Sequence, residues 1–273
     1  MCTSFAIYSQ EKVIYGMNFD TSEIDLKLKL YSSKGKNIFY FSGLLGDTYR
    51  NIAGINSDGL FICTQAVEYN SETRVSYNEN DWFIFDIFDE ALTNTSKTAD
   101  FHKILNNRLV TYPRNPLFPD LGLHTIIADK TGDAFIIEEG INGNRINSID
   151  NNFIVMTNFP NGDFDGVSYD KVTGCGADRY INAYEYINTN IRNLGVNEAF
   201  DILRENSRED TLCTIVFEPL KNEIYISFKK DLSKKWKISI TEKTIQSLDG
   251  IFSNNKIQFT NEEMLVKDLV SLY

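Results

Sequence analysis

A cysteine directly after the initiator methionine has chemistry of its own. The second residue is small, so removal of Met1 would leave Cys2 with a free α-amine and a thiol on one residue. An α-amine has a reference pKa of about 8 and is partly neutral near neutral pH. It can serve as general base for its own thiol, directly or through one water, and such base catalysis is typically worth about 10²–10⁴-fold in rate. No histidine is required, which suits a chain with only 2. A lone Cys2 is more commonly an ordinary buried thiol in a first strand. The remaining sequence has to separate the two readings.

Cys63, Cys175 and Cys213 complete the cysteine set, with neither metal-ligand spacing nor the density of a disulfide framework. They read as structural thiols, with Cys175 the one to watch for reactivity. No metal and no cofactor is expected. The net charge of -11 argues against nucleic acid or an anionic membrane as a partner. No apolar run approaches the ~20 residues needed to cross a bilayer, and the N-terminus lacks the features of a secretory signal. A reduced, cytoplasmic setting is the expectation.

Positioning elements are legible as apolar periodicity. MCTSFAIYS, KVIYGMNF, LKLKLYSS and NIFYFS are of strand length and rich in β-branched and aromatic residues. SQEK and KGKN separate two of these pairs as hairpin turns would. RNIAGIN and GLFICTQAV form a further pair around Ser57-Asp58-Gly59. Residues 81–94 carry a helical apolar stripe, and Ser96 is placed to cap a second helix over 96–107. Strands resume with LHTIIAD, DAFIIEE, NRINSID and NNFIVMTN, followed by a polar loop over 159–177. Helices are expected over 177–191 and 197–206, then strands TLCTIVFEP, EIYISFKK and KWKISI, then a terminal helix over 261–273. Hydrophobic residues at 42% support a substantial core. No linker or repeat divides residues 1–273, so one α+β domain with mostly antiparallel sheets is expected.

Seven of these segments, in order over about residues 1–240, together resemble the choloylglycine hydrolase family of N-terminal nucleophile hydrolases. MCTSFAI resembles the family's start. YGMNFD matches its G-R-N-x-D element at Gly16, Asn18 and Asp20. AGINSDGL is similar to its G-x-N-x-x-G-L turn through Gly54, Asn56, Gly59 and Leu60. LHTIIADKTGDAFIIE resembles the central hairpin, with His124, Asp129, Thr131, Gly132 and Glu138 in place. VMTNFP resembles T-N-x-P, ADRYINAY the helix start carrying the family arginine, and TLCTIVFEPLKNEIYISF the closing hairpin.

The resemblance implies a four-layer αββα sandwich with two antiparallel sheets. It implies hydrolysis of a linear carbon–nitrogen amide bond in an N-acyl substrate with an apolar acyl group, through Cys2 and a thioester. It assigns Asp20 to accept a hydrogen bond from the Cys2 amine, Asn158 to the oxyanion, and Arg179 to positive charge beside Asp20 and the thiolate. A second oxyanion donor belongs after the strand of Gln65; the family asparagine is replaced by Ala66, which leaves Gln65 or a nearby backbone amide.

Met17 replaces the family arginine and can neither favour a thiolate nor pair with a charge. On an ideal strand residues 17 and 20 face opposite sides, so the strand must twist or end near Phe19 if Asp20 is to reach Cys2. His124 is expected to be a satisfied core residue. Tyr69, Tyr77, Trp82, Phe83, Phe85, Phe159, Phe164 and Tyr169 are candidates for an apolar pocket, with Phe83 and Phe85 reading better as core. The chain is short between Asn158 and Arg179, where bile salt hydrolases carry an oligomer-stabilising extension, so a tetramer is less expected and a homo-oligomer is left open. Two other functions share the fold: an acyltransferase using the same acyl-Cys2, and a catalytically silent binding protein.

Overall fold

The structure, a computed structural model, describes residues 2–69, 81–105, 108–112, 120–140, 143–248, 256–259 and 262–271. The strands β1 (Thr3–Tyr8), β2 (Val13–Asp20), β3 (Leu26–Ser33), β4 (Lys36–Leu45), β5 (Thr48–Asn56) and β6 (Phe61–Glu68) come first. Next are β7 (Trp82–Phe83), α1 (Ile87–Asn94), α2 (Thr98–Leu105) and β8 (Val110–Thr111). A second group is β9 (Leu121–Ala128), β10 (Ala134–Gly140), β11 (Gly143–Ser148) and β12 (Phe153–Met156), then α3 (Ala177–Asn190) and α4 (Val196–Glu205). The chain closes with β13 (Thr211–Glu218), β14 (Glu223–Phe228), β15 (Trp236–Ser239), β16 (Thr244–Ser247), β17 (Lys256–Gln258), β18 (Glu263–Leu265) and α5 (Val266–Val270).

Two large sheets result, ordered β12-β1-β2-β13-β14-β15-β16-β17 and β11-β10-β9-β6-β5-β4-β3-β18. Every pairing in them is antiparallel. Side-chain alternation decides the layers. Along β2, Tyr15, Met17 and Phe19 point between the sheets, into one core with Phe39, Phe61 and Ile215. Ile14 points the other way, onto Ala199, Phe200 and Leu203 of α4. The outer face of the second sheet is covered by Ile87, Phe88 and Leu92 of α1 and Phe101 of α2. The order is helices, sheet, sheet, helices: the αββα sandwich. β1 and β2 are buried along their whole length because both faces are covered.

Local chemistry sets several joints. Lys34 and Gly35 both have positive φ, at 48° and 79°, as a two-residue hairpin loop between twisted strands requires. Gly16 is fixed by close approach: a Cβ there would lie 2.3 Å from the Phe5 ring. The glycine of YGMNFD thus admits a phenylalanine from the neighbouring strand.

The elements depart from expectation in four places. Helix over 81–94 is confined to Ile87–Asn94, and Trp82–Phe83 forms a short parallel pair with Val110–Thr111. Ser96 does not cap the second helix; its hydroxyl donates to Asp58 Oδ2 at 2.6 Å. The N–H of Thr98 is taken instead by Asp129 Oδ2 at 2.9 Å, from the turn after β9. The terminal helix shrinks to Val266–Val270, because Glu263–Leu265 pairs with β3 instead. The short strands β16 and β17, absent from the sequence reading, extend the first sheet.

Gly16→Ala is expected to lower the unfolding free energy by about 1–3 kcal/mol through overpacking against Phe5, with Phe5→Leu in the same chain recovering part of the loss. Urea titration checks this; unchanged stability in Gly16→Ala would dismiss the steric reading.

Candidate active site

Cys2 lies at the start of β1, buried at the mouth of the inter-sheet core. Its nitrogen donates to Asn158 Oδ1 at 2.9 Å. Asn158 follows β12, the strand paired with β1 through Ser4↔Met156 and Phe5↔Val155, so register alone delivers the carboxamide to the chain start. Asn158 Nδ2 donates to the Ala66 carbonyl at 2.6 Å, and the Asn158 carbonyl accepts from the Glu68 N–H at 2.8 Å. Asn158 therefore ties the first sheet to β6 of the second.

Arg179 enters from the first turn of α3. Its Nη2 donates to Asn158 Oδ1 at 2.6 Å and its Nη1 to Thr3 Oγ1 at 3.0 Å, with a further short bond from Nη1 to the Cys2 carbonyl. The side chain folds back over the helix N-terminus, where a cation opposes the helix dipole. Gly176 makes this possible: φ is +79°, and a Cβ there would lie 2.4 Å from Arg179 Nη2. The counter-charge is Asp20, whose Oδ2 lies 4.0 Å from Arg179 Nη1.

Asp20 ends β2, and its Oδ1 accepts from the Thr211 hydroxyl at 2.6 Å. The register of β2 against β13 shifts between Thr211 and Cys213, opposite Asp20 and Phe19. β2 is therefore irregular at its end, near Phe19. With Met1 attached, the single Cys2 N–H goes to Asn158 Oδ1, while Asp20 meets Cys2 through its backbone N–H on the thiol and through Arg179.

Gln65 is also committed. Its Oε1 accepts from Ser4 Oγ at 2.9 Å, and its Nε2 makes a short bond to the Thr157 carbonyl. Met17 is fully buried in the inter-sheet core with the Cys63 thiol 3.7 Å from its sulfur, an apolar setting in the place of the family arginine. Sequence reasoning missed Thr3 and Thr211, which complete the shells of Arg179 and Asp20; a threonine at a strand start carries no local signal for such a role.

Burial governs the titrations. The Cys2 thiol is pushed up to about 11, chiefly by burial, against the pull of the N-terminal charge, the Asp20 backbone N–H and Arg179. Burial also lifts Asp20 to about 6, opposed by the Thr211 hydroxyl, the N-terminal charge and Arg179. Cys175 is raised by burial, reinforced by Glu68, so its thiolate is disfavoured. All four cysteines are unpaired by disulfides.

The aromatic candidates do not converge. Trp82 and Phe85 pack on the outer core beneath α1 and α2. Phe159 meets Phe164 and Tyr180, and Tyr169 stacks on Tyr184 along α3. Tyr77 falls outside the described residues, as does Met1. A cavity of about 460 Å³ instead opens beyond Asp20, lined by Ile24, Leu26, Leu212, Phe228, Val266 and Val270 among others. Cys2 is not in its wall, but Ile24 and Leu26 follow Asp20 in the chain and Leu212 follows Thr211. Among the described residues no helix is long and apolar enough to cross a membrane.

Two stacked antiparallel sheets between helical layers, with a cysteine opening the first strand of the inner core, define the N-terminal nucleophile hydrolase sandwich. Three solved structures share it. A cysteine-to-alanine mutant of the conjugated bile acid hydrolase from Clostridium perfringens has TM-score 0.60 and 16% identity, over 95% of this chain and 97% of that one. An arginine-to-leucine variant of the same enzyme gives 0.62 and 16%, over 95% and 100%. Penicillin V acylase from Agrobacterium tumefaciens gives 0.66 and 17%, over 93% of each chain. No curated protein matches the chain. The family model of the linear amide C-N hydrolases, choloylglycine hydrolase family, matches residues 2–185, and the chain belongs to that family. It is by membership an amidohydrolase acting on linear amides.

Asp20 supplies a pH test. Its folded pKa of about 6 lies above the unfolded 3.8, so between these values the folded state holds a proton that the unfolded state has released. Stability contributed by that proton is full below the lower value and lost as pH rises through the higher one. Relative to Asp20→Asn, the parent is expected to lose about 2 kcal/mol between about pH 4 and about pH 7. Denaturant titrations at several pH values check this; a pH-independent difference between the two proteins would refute it.

Proposed function

We propose that removal of Met1 creates the nucleophile and that the protein hydrolyses N-acyl amides with an apolar acyl group through an acyl-Cys2 thioester. The observation that carries this reading is the Cys2 N–H, a peptide N–H while Met1 is attached, held at 2.9 Å on Asn158 Oδ1, the atom that also accepts from Arg179; processing would free an amine at that place. A thiol lifted to about 11 is protonated near neutral pH and needs an adjacent base. The freed amine of the same residue is that base. It takes the thiol proton as sulfur attacks the carbonyl, and gives it to the departing amine as the carbon–nitrogen bond breaks. Water then cleaves the thioester by the same relay, which returns the thiol.

The tetrahedral oxyanion needs donors. A primary amide carries two N–H hydrogens, and Asn158 spends one on the Ala66 carbonyl while Gln65 spends one on that of Thr157. The second hydrogen of each is assigned here to the oxyanion. Arg179 and Asp20 balance charge behind the amine. The cavity that follows Asp20 offers an apolar wall to an acyl group beside the charged Glu23, Asp25, Lys229 and Lys267, and its volume falls in the range of small-molecule sites. The fold neighbours are by name a conjugated bile acid hydrolase and a penicillin V acylase, and these names support an N-acyl amide as substrate class. Met17 in the place of an arginine favours a less polar acyl group over an anionic one.

Processed protein, shown by intact mass to lack Met1, is expected to gain the acyl mass on Cys2 when treated with an activated N-acyl amide. No such adduct across a broad amide panel would sink the nucleophile reading and leave the silent binding protein. Transfer to added amines at a rate rivalling hydrolysis would favour the acyltransferase. Asn158→Ala should cost about 10²–10³-fold in kcat, and Val270→Trp, which fills the cavity, should raise KM more than it lowers kcat.

A further inference from the structure

Asn158 sits in a short turn whose two flanks are tied to one buried pair. On one flank, His124 Nε2 is 2.8 Å from the Thr157 carbonyl. On the other, Glu138 Oε1 accepts from the Asn161 N–H at 2.6 Å and Oε2 from the Gly162 N–H at 3.0 Å. Asn147 Nδ2 adds a further donor to Oε2 at 2.8 Å. His124 Nδ1 and Glu138 Oε1 lie 3.1 Å apart, with both side chains fully buried.

The hydrogen bonds fix the ring. A carbonyl oxygen only accepts, so Nε2 carries a hydrogen and points it at Thr157. Nδ1 then faces Glu138 Oε1, and the carboxyl group that holds the ring also holds the turn after Asn158. His124 stands on β9 directly opposite Gln65 on β6, whose Nε2 donates to the same Thr157 carbonyl. Two cross-strand partners of the second sheet therefore clamp the peptide that precedes Asn158 in the first.

We propose that His124, oriented by Glu138, is a positioning residue that aims the Asn158 carboxamide: Oδ1 at the Cys2 nitrogen and Arg179, Nδ2 at the Ala66 carbonyl. It touches neither substrate nor thiol. Loosening such a support displaces a reacting group by a fraction of an ångström to an ångström, a change able to cost about 10²-fold. The inference rests on the reading of Cys2 and Asn158 as catalytic.

Two substitutions separate positioning from bulk packing. His124→Gln places its amide donor where Nε2 stands, whereas His124→Asn places it near Nδ1, short of Thr157. With the N-acyl amide that labels the parent, His124→Gln is expected to keep kcat within about threefold, and His124→Asn to lose about 10–100-fold in kcat with KM changed by no more than about twofold. Equal kcat in His124→Asn and the parent, or equal losses in both folded variants, would overturn the proposal. If either variant fails to fold, ¹⁵N spectra of histidine-labelled parent decide the geometry: a slowly exchanging hydrogen on His124 Nε2 is expected, and an unprotonated Nε2 refutes the clamp. A parent that acylates no amide at all sinks the catalytic reading itself, and the inference with it.

Discussion

One buried guanidinium sets the terms for the rest of the site. Arg179 brings a full positive charge under the first turn of α3, where the helix dipole already disfavours a cation. Such a charge is tolerated only if paired and fully hydrogen-bonded. Its four partners come from three places in the chain: the Cys2 carbonyl and Thr3 hydroxyl, Asn158 Oδ1, and the Asp20 carboxylate. Helix, strand start, strand end and neighbouring strand must all arrive together for the charge to be met. Gly176 removes the side chain that would block the guanidinium, so the constraint extends into the loop before the helix.

Asn158 carries the same burden between the sheets. Its oxygen serves the chain start and Arg179, its amide and backbone carbonyl serve β6, and the peptide before it is held by Gln65 and His124. Elsewhere the sheets meet mainly through apolar packing, which is non-directional, with a few cross-sheet bonds such as those of the Tyr15 and Tyr8 hydroxyls to the Gly59 and Asp133 carbonyls. The polar contacts at one end supply the direction. That division explains a site built at the rim of the inter-sheet core, where Cys2 and Phe19 are still counted among the apolar cluster.

Dryness is the electrical consequence. Burial raises the Cys2 thiol and the Asp20 carboxyl together, because water is withdrawn from both. A site of this kind cannot rely on a resident thiolate. On the proposed reading the base beside the thiol is the freed amine of Cys2, because the two histidines stand elsewhere, His102 packed on Phe135 and His124 buried against the Thr157 carbonyl. Protein dipoles act strongly in such a setting, which is why the two primary amides matter more than their number suggests.

The sequence by itself determined the layered α+β architecture, the strand starts and most turns, because periodicity and turn chemistry are local properties. It also marked Cys2, Asp20, Asn158 and Arg179 through ordered motifs that match the choloylglycine hydrolases. Several motif residues proved to be structural posts: Asn56 donates to the Leu92 and Thr95 carbonyls, and Asn18 to that of Leu203. Only the tertiary structure decided who touches whom. The cap of α2 comes from Asp129 rather than the adjacent Ser96, the Cys2 nitrogen meets Asn158 rather than Asp20, and the last residues give up most of a helix to pair with β3. Each of these is a contact between segments far apart in the chain. Local propensity is worth tenths of a kilocalorie per residue, too little to outweigh a buried hydrogen bond or an added strand that only the assembled fold can offer.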